Sequence, residues 1–443
     1  MATRPGHERG RTAGRYQESP EPPRAGASGP GQRPARDGVG VIPAGRDSGL
    51  PPLALYVHVP WCVRKCPYCD FNSHGVGRGA DLPEREYLAA LIEDLDADLP
   101  LAAGRELVSV FIGGGTPSLM SAAFYAALFE ALARRLPLAS DIEITLEANP
   151  GTLERGRFAG YRRAGINRLS LGVQSFQDAQ LQALGRIHSG DDARSAVDEA
   201  RRAGFDNLNL DLMHGLPGQT PTLALADLEQ ALSLAPEHLS WYQLTLEPNT
   251  EFYSRPPRLP QEEVLWDIQD LGHARLEEAG LRRYEISAYA RRGHRSRHNL
   301  NYWRFGDYLG IGAGAHGKLS RSSESGSEPL HIERRWKARQ PTSYLQRRRD
   351  PRGFVAGRVM VEEAELPLEF AMNALRLVEG VPLSDWHAHT GRPEAALLGC
   401  LTQARKKGLL MEDAQRLQAS PQGLLFLNEL LNLIAANRAG TNH

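Results

Sequence analysis

The sequence has little cysteine, no excess of either charge and no long apolar run. Cysteine accounts for 4 of its 443 residues, too few for a disulfide framework. The chain carries 52 basic and 53 acidic residues, so it lacks the basic excess with which a general nucleic-acid binder neutralises phosphates. No apolar run approaches the ~18 residues of a membrane-spanning helix, and the first residues lack the apolar core of a signal peptide. We therefore expect a cytoplasmic protein with no membrane span and no nucleic-acid partner.

The first fifty residues differ in composition from the rest of the chain. They contain ten glycines and seven prolines and show almost no periodic apolar pattern. Such a stretch cannot bury enough apolar surface to offset the entropy lost on ordering. The sequence therefore predicts a disordered tail over residues 1–50.

Short apolar runs alternate with helix-like stretches from residue 53 onward. This alternation is typical of a parallel sheet with helices on its faces, and six or seven such units favour a complete or partial barrel. The predicted strands are 53–59, 108–113, 142–147, 167–173, 207–213, 239–247 and 284–290. Functional residues of such barrels come from the C-terminal ends of the strands. Those ends carry three clustered cysteines, the sequence GGGTP, Glu147, Gln174 and Asp211.

The pattern after residue 355 is mainly helical. Residues 407–431 are typical of a helix, a short two-stranded wing and another helix. Residues 355–443 contain eight basic and ten acidic residues, which disfavours DNA binding and favours a docking or lid role. We therefore predict four parts: the tail (1–50), a barrel (51–290), a linking segment (291–354) and a winged-helix-like domain (355–443).

Three of the four cysteines follow the first predicted strand on one loop. Cys62, Cys66 and Cys69 stand at positions i, i+4 and i+7, so their thiolates can converge on one inorganic group. A [4Fe–4S] cluster normally takes four cysteines, and a set of three would leave one iron open to a small molecule. A structural zinc ion, completed by a nearby histidine, is the alternative, although four ligands on so short a loop would be unusual. Three buried structural thiols are the other alternative.

This C-x3-C-x2-C pattern, with Tyr68 before the last cysteine, resembles the signature of the radical S-adenosylmethionine (SAM) superfamily. The resemblance implies a partial (β/α)6 barrel and a [4Fe–4S] cluster whose open iron is chelated by the amino and carboxylate groups of SAM. It also implies that Tyr68 packs against adenine, that the glycines of 111–118 hold the methionyl end of SAM, and that Glu147 accepts the ribose hydroxyls. Loop packing by Tyr68 and helix capping by Glu147 are the alternatives.

Further segments resemble the coproporphyrinogen dehydrogenase-like branch of that superfamily, over roughly residues 52–440. They are LYVHVP around Tyr56, GVQSF (172–176), GRIH (185–188) and NLDLMHGLPGQT (209–220). The resemblance implies that Tyr56, Gly114 and Glu147 surround the cluster-bound SAM. The residues it implies for a second SAM are Gly115, Thr116, Gln174, Arg186 and Asp211. A polar network that closes the barrel mouth is the alternative for this second set.

Two features favour a haem chaperone within this branch. The dehydrogenases carry another cysteine two residues after the third cluster cysteine, where this chain has Phe71. The hexapeptide HNLNYW, from His298 to Trp303, resembles the HNxxYW signature of a family of haem chaperones. The resemblance implies that His298 binds haem iron while Tyr302 or Trp303 packs on the porphyrin, since imidazole is a common axial ligand. His316 is a second candidate ligand, with hydrogen bonding in its loop as the alternative.

Arginines surround this hexapeptide and are candidates for pairing with haem propionates. They are Arg291, Arg292, Arg295, Arg297 and Arg304. We therefore predict a chaperone that binds haem, a [4Fe–4S] cluster and SAM and delivers haem to an acceptor protein. The alternatives are an oxygen-independent coproporphyrinogen III dehydrogenase, which is a radical SAM oxidative decarboxylase, and a zinc-stabilised binding protein.

Overall fold

A twelve-stranded sheet dominates the computed structural model, which describes residues 49–151, 156–322 and 329–437. Its strands are β1 (Leu53–Val59), β2 (Leu107–Gly114), β3 (Leu138–Ala148), β4 (Arg168–Gln174), β5 (Leu208–His214), β6 (His238–Gln243), β7 (Arg282–Glu285), β8 (Ala288–Ala290), β9 (Asp307–Ile311), β10 (His316–Arg321), β11 (His331–Lys337) and β12 (Val355–Met360). Their order across the sheet is β12-β11-β10-β9-β1-β2-β3-β4-β5-β6-β8-β7. The tail predicted over residues 1–50 lies outside the described residues except for its last two positions.

Seven neighbouring strands, β9 and β1 to β6, run parallel, and the strands on either side of them run antiparallel. Because the parallel strands end at one edge of the sheet, the loops that follow them gather there. The first six predicted strands are confirmed. The prediction of a strand over 284–290 is wrong, because the chain reverses between β7 and β8, where the Ser287 N–H donates to Glu285.

Helices connect the parallel strands and continue into the C-terminal region. The α-helices in the described ranges are Glu84–Ala102, Ala122–Ala133, Phe158–Ala164, Asp178–Ala183, Gly190–Arg202, Pro221–Ser233, Glu251–Ser254, Glu262–Glu278, Arg297–Trp303, Pro341–Gln346, Leu366–Ala374, Leu383–Thr390, Glu394–Cys400, Thr402–Lys406, Pro421–Leu425 and Leu427–Asn437. None of these helices is long and apolar enough to cross a membrane.

Two large apolar clusters hold the described chain together. The first lies between the parallel strands and their helices, where the inward and outward side chains of β1 are both buried. Such burial on both faces is why these strands are nearly continuous apolar runs. The second cluster joins the C-terminal helices to the helix Arg297–Trp303 through Leu300 and to the following Phe305.

The region from residue 291 to 354 belongs to the large sheet. The sequence predicts a linking segment there, whereas β9, β10 and β11 extend the sheet beyond β1. Strand β9 is short and pairs with β1 on the side opposite β2, a position that its sequence does not reveal. The wing predicted within 407–431 is present as a bridge between Leu410 and Ala419 next to the paired strands Val381–Pro382 and Arg416–Leu417.

Candidate functional site

A cavity of about 750 Å³ opens at the C-terminal ends of β1, β2 and β3. Residues from the barrel strands, from the loop after the cysteines and from β9 to β11 and their flanking segments all face it. The lining residues are Tyr56, His58, Asp70, Phe71, Asn72, Gly114, Glu147, His298, Tyr302, Tyr308, Gly314, His316, Trp336 and Arg339. Residues distant in the sequence thus share one concave surface, as in most small-molecule sites.

The loop that carries the three cysteines is closed at its base by pairing between Trp61–Cys62 and His74–Gly75. Cys62 is buried, and its sulfur accepts a hydrogen bond from Thr116 Oγ1 at 3.4 Å. Cys69 Sγ lies 3.7 Å from Ser73 Oγ, and burial raises the pKa of the Cys62 and Cys69 thiols. Cys66 Sγ accepts a hydrogen bond from the Arg186 guanidinium at 3.7 Å. Each sulfur therefore has a polar neighbour from the barrel or from the loop.

The cysteine geometry fits a cluster better than a single metal ion. A zinc ion needs its thiolates within about 2.3 Å of one point. In the described residues, no three His, Cys, Asp or Glu side chains lie close enough together to bind one ion. A [4Fe–4S] cluster binds each thiolate through a different iron, so its ligands need not meet at one point. The three thiols on one loop therefore fit a cluster with one open iron.

The glycines that end β2 have no room for side chains. Gly114 has φ +115°, and a Cβ atom there would lie 2.5 Å from the His58 ring. A Cβ atom at Gly115 would lie 2.6 Å from the Trp61 carbonyl oxygen. Only glycine therefore allows the turn to approach the start of the cysteine loop this closely. In the same turn, the Gly114 N–H donates a hydrogen bond to Glu147 Oε2 at 3.1 Å.

A chain of hydrogen bonds fixes Tyr56 at the cavity. Because the Asn72 carbonyl oxygen only accepts, His58 Nε2 donates to it, at 2.9 Å. His58 Nδ1 then accepts from the Tyr56 hydroxyl at 2.9 Å. Burial lowers the pKa of His58 to about 4, so the imidazole is neutral as this chain requires. The Asn72 side chain donates in turn to the carbonyl oxygens of Ala313 and Arg339.

Glu147 is partly buried at the end of β3 and faces the same cavity. Burial and then the charge of Asp211 raise its pKa to about 7. Its hydrogen bond from the Gly114 N–H uses Oε2, so carboxylate lone pairs remain for a ligand with hydroxyl groups. The position suits the ribose contact that the sequence predicts.

The five residues predicted for a second SAM are not all at one cavity. Thr116 and Arg186 line a second cavity of about 540 Å³, which Cys66 also borders. Gly115, Gln174 and Asp211 line neither this cavity nor the first. Gln174 accepts from the Tyr242 hydroxyl at 2.7 Å, and hydrogen bonds from neighbouring side chains hold Asp211. The second SAM site stays a prediction, and this bonding also fits the polar network that was its alternative.

Tyr68 packs into a small apolar cluster beside the cysteine loop. Its ring centroid lies 6.3 Å from that of Phe252, and Leu184, Met213 and Leu216 belong to the same cluster. Burial raises the pKa of its hydroxyl. Tyr68 does not line the first cavity, so its predicted contact with adenine stays a prediction.

His298 occupies the first turn of the helix Arg297–Trp303 and faces the first cavity. Its ring stacks on Phe111 at 4.8 Å between centroids and lies 6.4 Å from Tyr56. The side chain is buried, and its Nδ1 has no hydrogen-bond partner. Burial lowers the pKa of His298 to about 3 and keeps the imidazole neutral, the form that binds metals.

The two aromatic residues that end the hexapeptide have different surroundings. Tyr302 lines the cavity and accepts a hydrogen bond from the Tyr308 hydroxyl at 3.0 Å. Trp303 instead packs against the C-terminal apolar cluster, with the Arg376 guanidinium 4.4 Å from its ring centroid. Of the two predicted porphyrin contacts, only Tyr302 therefore lies at the cavity. His316 lines it as well, stacked on Trp336 at 6.3 Å.

Four of the five arginines predicted to pair with propionates form contacts within the fold. Arg295 pairs with Glu379, Arg297 with Asp141 and Arg304 with Asp385, while Arg291 donates to backbone carbonyls. None of the five predicted arginines lines the first cavity, where the arginine is Arg339. Sequence reasoning missed Arg339 and Trp336 because only the pairing of β9, β10 and β11 beside β1 brings them to the site.

Comparison with known proteins agrees with this geometry. Residues 56–231 match the model of the radical SAM superfamily, and residues 361–426 match that of the HemN C-terminal domain. A heme chaperone HemW from Escherichia coli K12 is 50% identical over 387 residues, covering 87% of this chain and 99% of that protein. The chain belongs to the HemW family.

Two further relatives and one solved structure extend the comparison. The HemW protein of Bacillus subtilis is 39% identical, covering 60% of this chain and 71% of that protein. Radical S-adenosyl methionine domain-containing protein 1 of Bos taurus mitochondria is 37% identical, with 90% of each chain covered. Coproporphyrinogen III oxidase (HemN) of Escherichia coli has the same fold, with a TM-score of 0.72 and 23% identity over 88% of this chain and 91% of that one. The predicted partial radical SAM barrel with a helical C-terminal part is thus confirmed, and the family implies a [4Fe–4S] cluster and SAM as cofactors.

Proposed function

We propose that this protein is a haem chaperone that binds haem in the first cavity through His298 and delivers it to an acceptor protein. Its HemW relatives are named as heme chaperones, and the HNLNYW hexapeptide supplies the residues that the proposal uses. In this proposal Cys62, Cys66 and Cys69 hold the [4Fe–4S] cluster, and Tyr56, Gly114 and Glu147 form the SAM side of the same cavity. The cluster and SAM supply redox competence when bound.

The unpaired Nδ1 atom of His298 is the observation that carries the proposal. A buried polar atom without a partner costs about 1–3 kcal/mol, so such atoms are rare unless a ligand satisfies them. This nitrogen belongs to a neutral imidazole beside a cavity with aromatic walls. Because the protein encloses Nδ1, iron coordination would satisfy it only after the ring turns this nitrogen toward the cavity, where Tyr56, Tyr302 and Trp336 offer flat apolar surface to a porphyrin.

Arg339 is our candidate for the haem carboxylates. It is exposed where it lines the cavity, and its guanidinium suits a bidentate contact with a carboxylate. His316 lines the same cavity and is the second candidate for the ligand of haem iron. Neither Arg339 nor His316 belongs to the arginine-rich stretch that the sequence predicts to pair with haem propionates.

Parallel assays of haem binding and porphyrinogen decarboxylation distinguish the chaperone from the decarboxylase. The full chain is reconstituted with iron and sulfide without air, titrated with haem and, separately, incubated with coproporphyrinogen III, SAM and a reductant. We expect a saturable Soret change and no turnover. Decarboxylation at an enzyme-like rate would overturn the proposal in favour of the dehydrogenase.

His298→Ala tests the ligand assignment. The variant should change or abolish the Soret band of bound haem while it keeps full iron and sulfide content, because the cysteine loop is a separate part of the site. His294→Ala is the matched control, since this histidine lies four residues earlier and does not line the cavity. An unaltered Soret band in folded His298→Ala protein would exclude this residue as the ligand, whereas a purely structural role would lower only the thermal stability.

A further inference from the structure

The proposed haem ligand and the proposed ribose contact both lie near the ring of Phe111. The Phe111 ring stacks on His298 with 4.8 Å between centroids. A Cβ atom at Gly113 would lie 3.0 Å from both the Glu147 carboxylate and that same ring, so the carboxylate and the ring edge flank one backbone position. Tyr56 stacks on Phe111 as well, at 6.4 Å, and lies equally far from His298.

The size of the cavity limits what these groups can hold together. Pockets of about 300–1,000 Å³ take one drug-sized ligand each. The cavity of about 750 Å³ is lined by the residues of both proposed contacts. A porphyrin coordinated by His298 would cover Tyr56, which lines the same cavity surface that a ribose bound at Glu147 would approach.

We propose that haem and the nucleoside part of SAM occupy overlapping space in this cavity, so that each weakens the binding of the other. The inference rests on the proposed function, because it takes His298 as the haem ligand and Glu147 as the ribose contact. Thermodynamic linkage requires the two effects to be equal, so SAM raises the haem Kd by the same factor by which haem raises the SAM Kd. Arrival of SAM at a cluster-loaded, haem-loaded protein would then favour release of haem to an acceptor.

The test measures both affinities on the full chain with its cluster in the oxidised state, so that SAM is not cleaved. Haem is titrated by its Soret absorbance without SAM and with saturating SAM, and SAM binding is measured by equilibrium dialysis without and with saturating haem. We expect SAM to raise the haem Kd at least tenfold and haem to raise the SAM Kd equally.

Two variants show whether the effect passes through this cavity. In Glu147→Gln, SAM binds more weakly, so a fixed SAM concentration that is just saturating for the unchanged protein should displace much less haem. Cys400→Ala, whose cysteine lies on a C-terminal helix, should behave as the unchanged protein.

The outcomes separate this inference from the proposed function. If the protein binds both ligands and SAM leaves the haem Kd unchanged or lowers it, the overlap is wrong while the chaperone proposal stands. Failure of the protein to bind SAM also overturns the overlap. If no haem binds, or if His298→Ala leaves the Soret band unaltered, the proposed site itself fails and the inference with it.

Discussion

At the scale of single residues, the four cysteines differ in their surroundings. Changing Cys62, Cys66 or Cys69 to Ala should abolish the cluster, because each change removes one of the three thiolates of the proposed site. Cys400 ends the helix Glu394–Cys400, packs partly against the C-terminal apolar cluster and donates to the Ala396 carbonyl oxygen, so Cys400→Ala should retain the cluster. Iron and sulfide content after anaerobic reconstitution measures both expectations. Loss of the cluster in folded Cys400→Ala protein would refute the three-cysteine site.

The raised pKa of Glu147 makes its contribution to SAM binding depend on pH. Glu147→Ala should weaken SAM binding roughly ten- to hundredfold at pH 8, because a hydrogen bond to a charged group contributes about 1.5–3 kcal/mol. Since the pKa is raised to about 7, the carboxylate is largely protonated at pH 6 and accepts fewer hydrogen bonds. The difference between the unchanged protein and the variant should therefore be smaller at pH 6 than at pH 8.

Titrations of SAM against the cluster-loaded protein at the two pH values measure this difference. Because the two proteins are compared at the same pH, protonation of SAM itself affects both affinities equally and cancels. Glu130→Ala, at an exposed helical position, is the control and should leave the affinity unchanged. An equal difference at both pH values would contradict the protonation argument, and no difference at pH 8 would remove the ribose assignment.

At the scale of elements, the short helix Arg297–Trp303 positions the proposed haem ligand. Ser296 accepts from the Asn299 N–H, and the buried Glu143 carboxylate accepts from the N–H groups of Arg297 and His298 at 3.0 and 3.3 Å. Glu143→Ala leaves these buried donors without a partner, at a cost of about 1–3 kcal/mol. We expect a lower midpoint of thermal unfolding and several-fold weaker haem binding, with cluster content unchanged.

The helix Gly190–Arg202 provides the matched control for this change. Ser189 caps it through a capping box, and Ser189→Ala should cost about 1 kcal/mol. The control should lower thermal stability without weakening haem binding, since Ser189 does not line the cavity. If both variants weaken haem binding alike, general destabilisation rather than the position of His298 would explain the result.

At the scale of the whole molecule, the C-terminal helices pack against the helix that carries His298. Arg304, directly after the hexapeptide, forms two hydrogen bonds with Asp385, at 2.8 and 3.1 Å, and the side chains are only 17% and 10% exposed. Asp385→Ala should reduce the free energy of unfolding by about 2 kcal/mol, as expected for a lost charged hydrogen bond. Denaturant unfolding measures the loss.

An exposed ion pair supplies the comparison for Asp385→Ala. Arg134 and Glu130 are 59% and 70% exposed, so Glu130→Ala should change the free energy of unfolding by at most about 1 kcal/mol. Haem binding should weaken in Asp385→Ala and remain unchanged in Glu130→Ala. Equal stability losses in the two variants would show that the contact between Arg304 and Asp385 does not stabilise the fold.

The sequence by itself determined the features that depend on neighbouring residues. The first six strands, the cysteine loop after β1 and the glycine turn after β2 follow from apolar runs, spacing and backbone freedom. The sequence also determined that these strands end at one edge of the sheet, because consecutive parallel strands place their C-terminal ends together. Gly114 and Glu147 were therefore found as residues near strand ends, whereas Tyr56, in the middle of β1, came from the resemblance of its segment to a known family.

Only the tertiary structure decided what faces the cavity from beyond the barrel strands. Strand β9 pairs with the free edge of β1, which brings His298 onto Phe111 and adds Trp336 and Arg339 through β10 and β11. The same packing turns Trp303 away from the cavity and pairs Arg304 with Asp385. Local spacing cannot predict these outcomes, because each depends on which strand edge is free and which oppositely charged group lies across an interface.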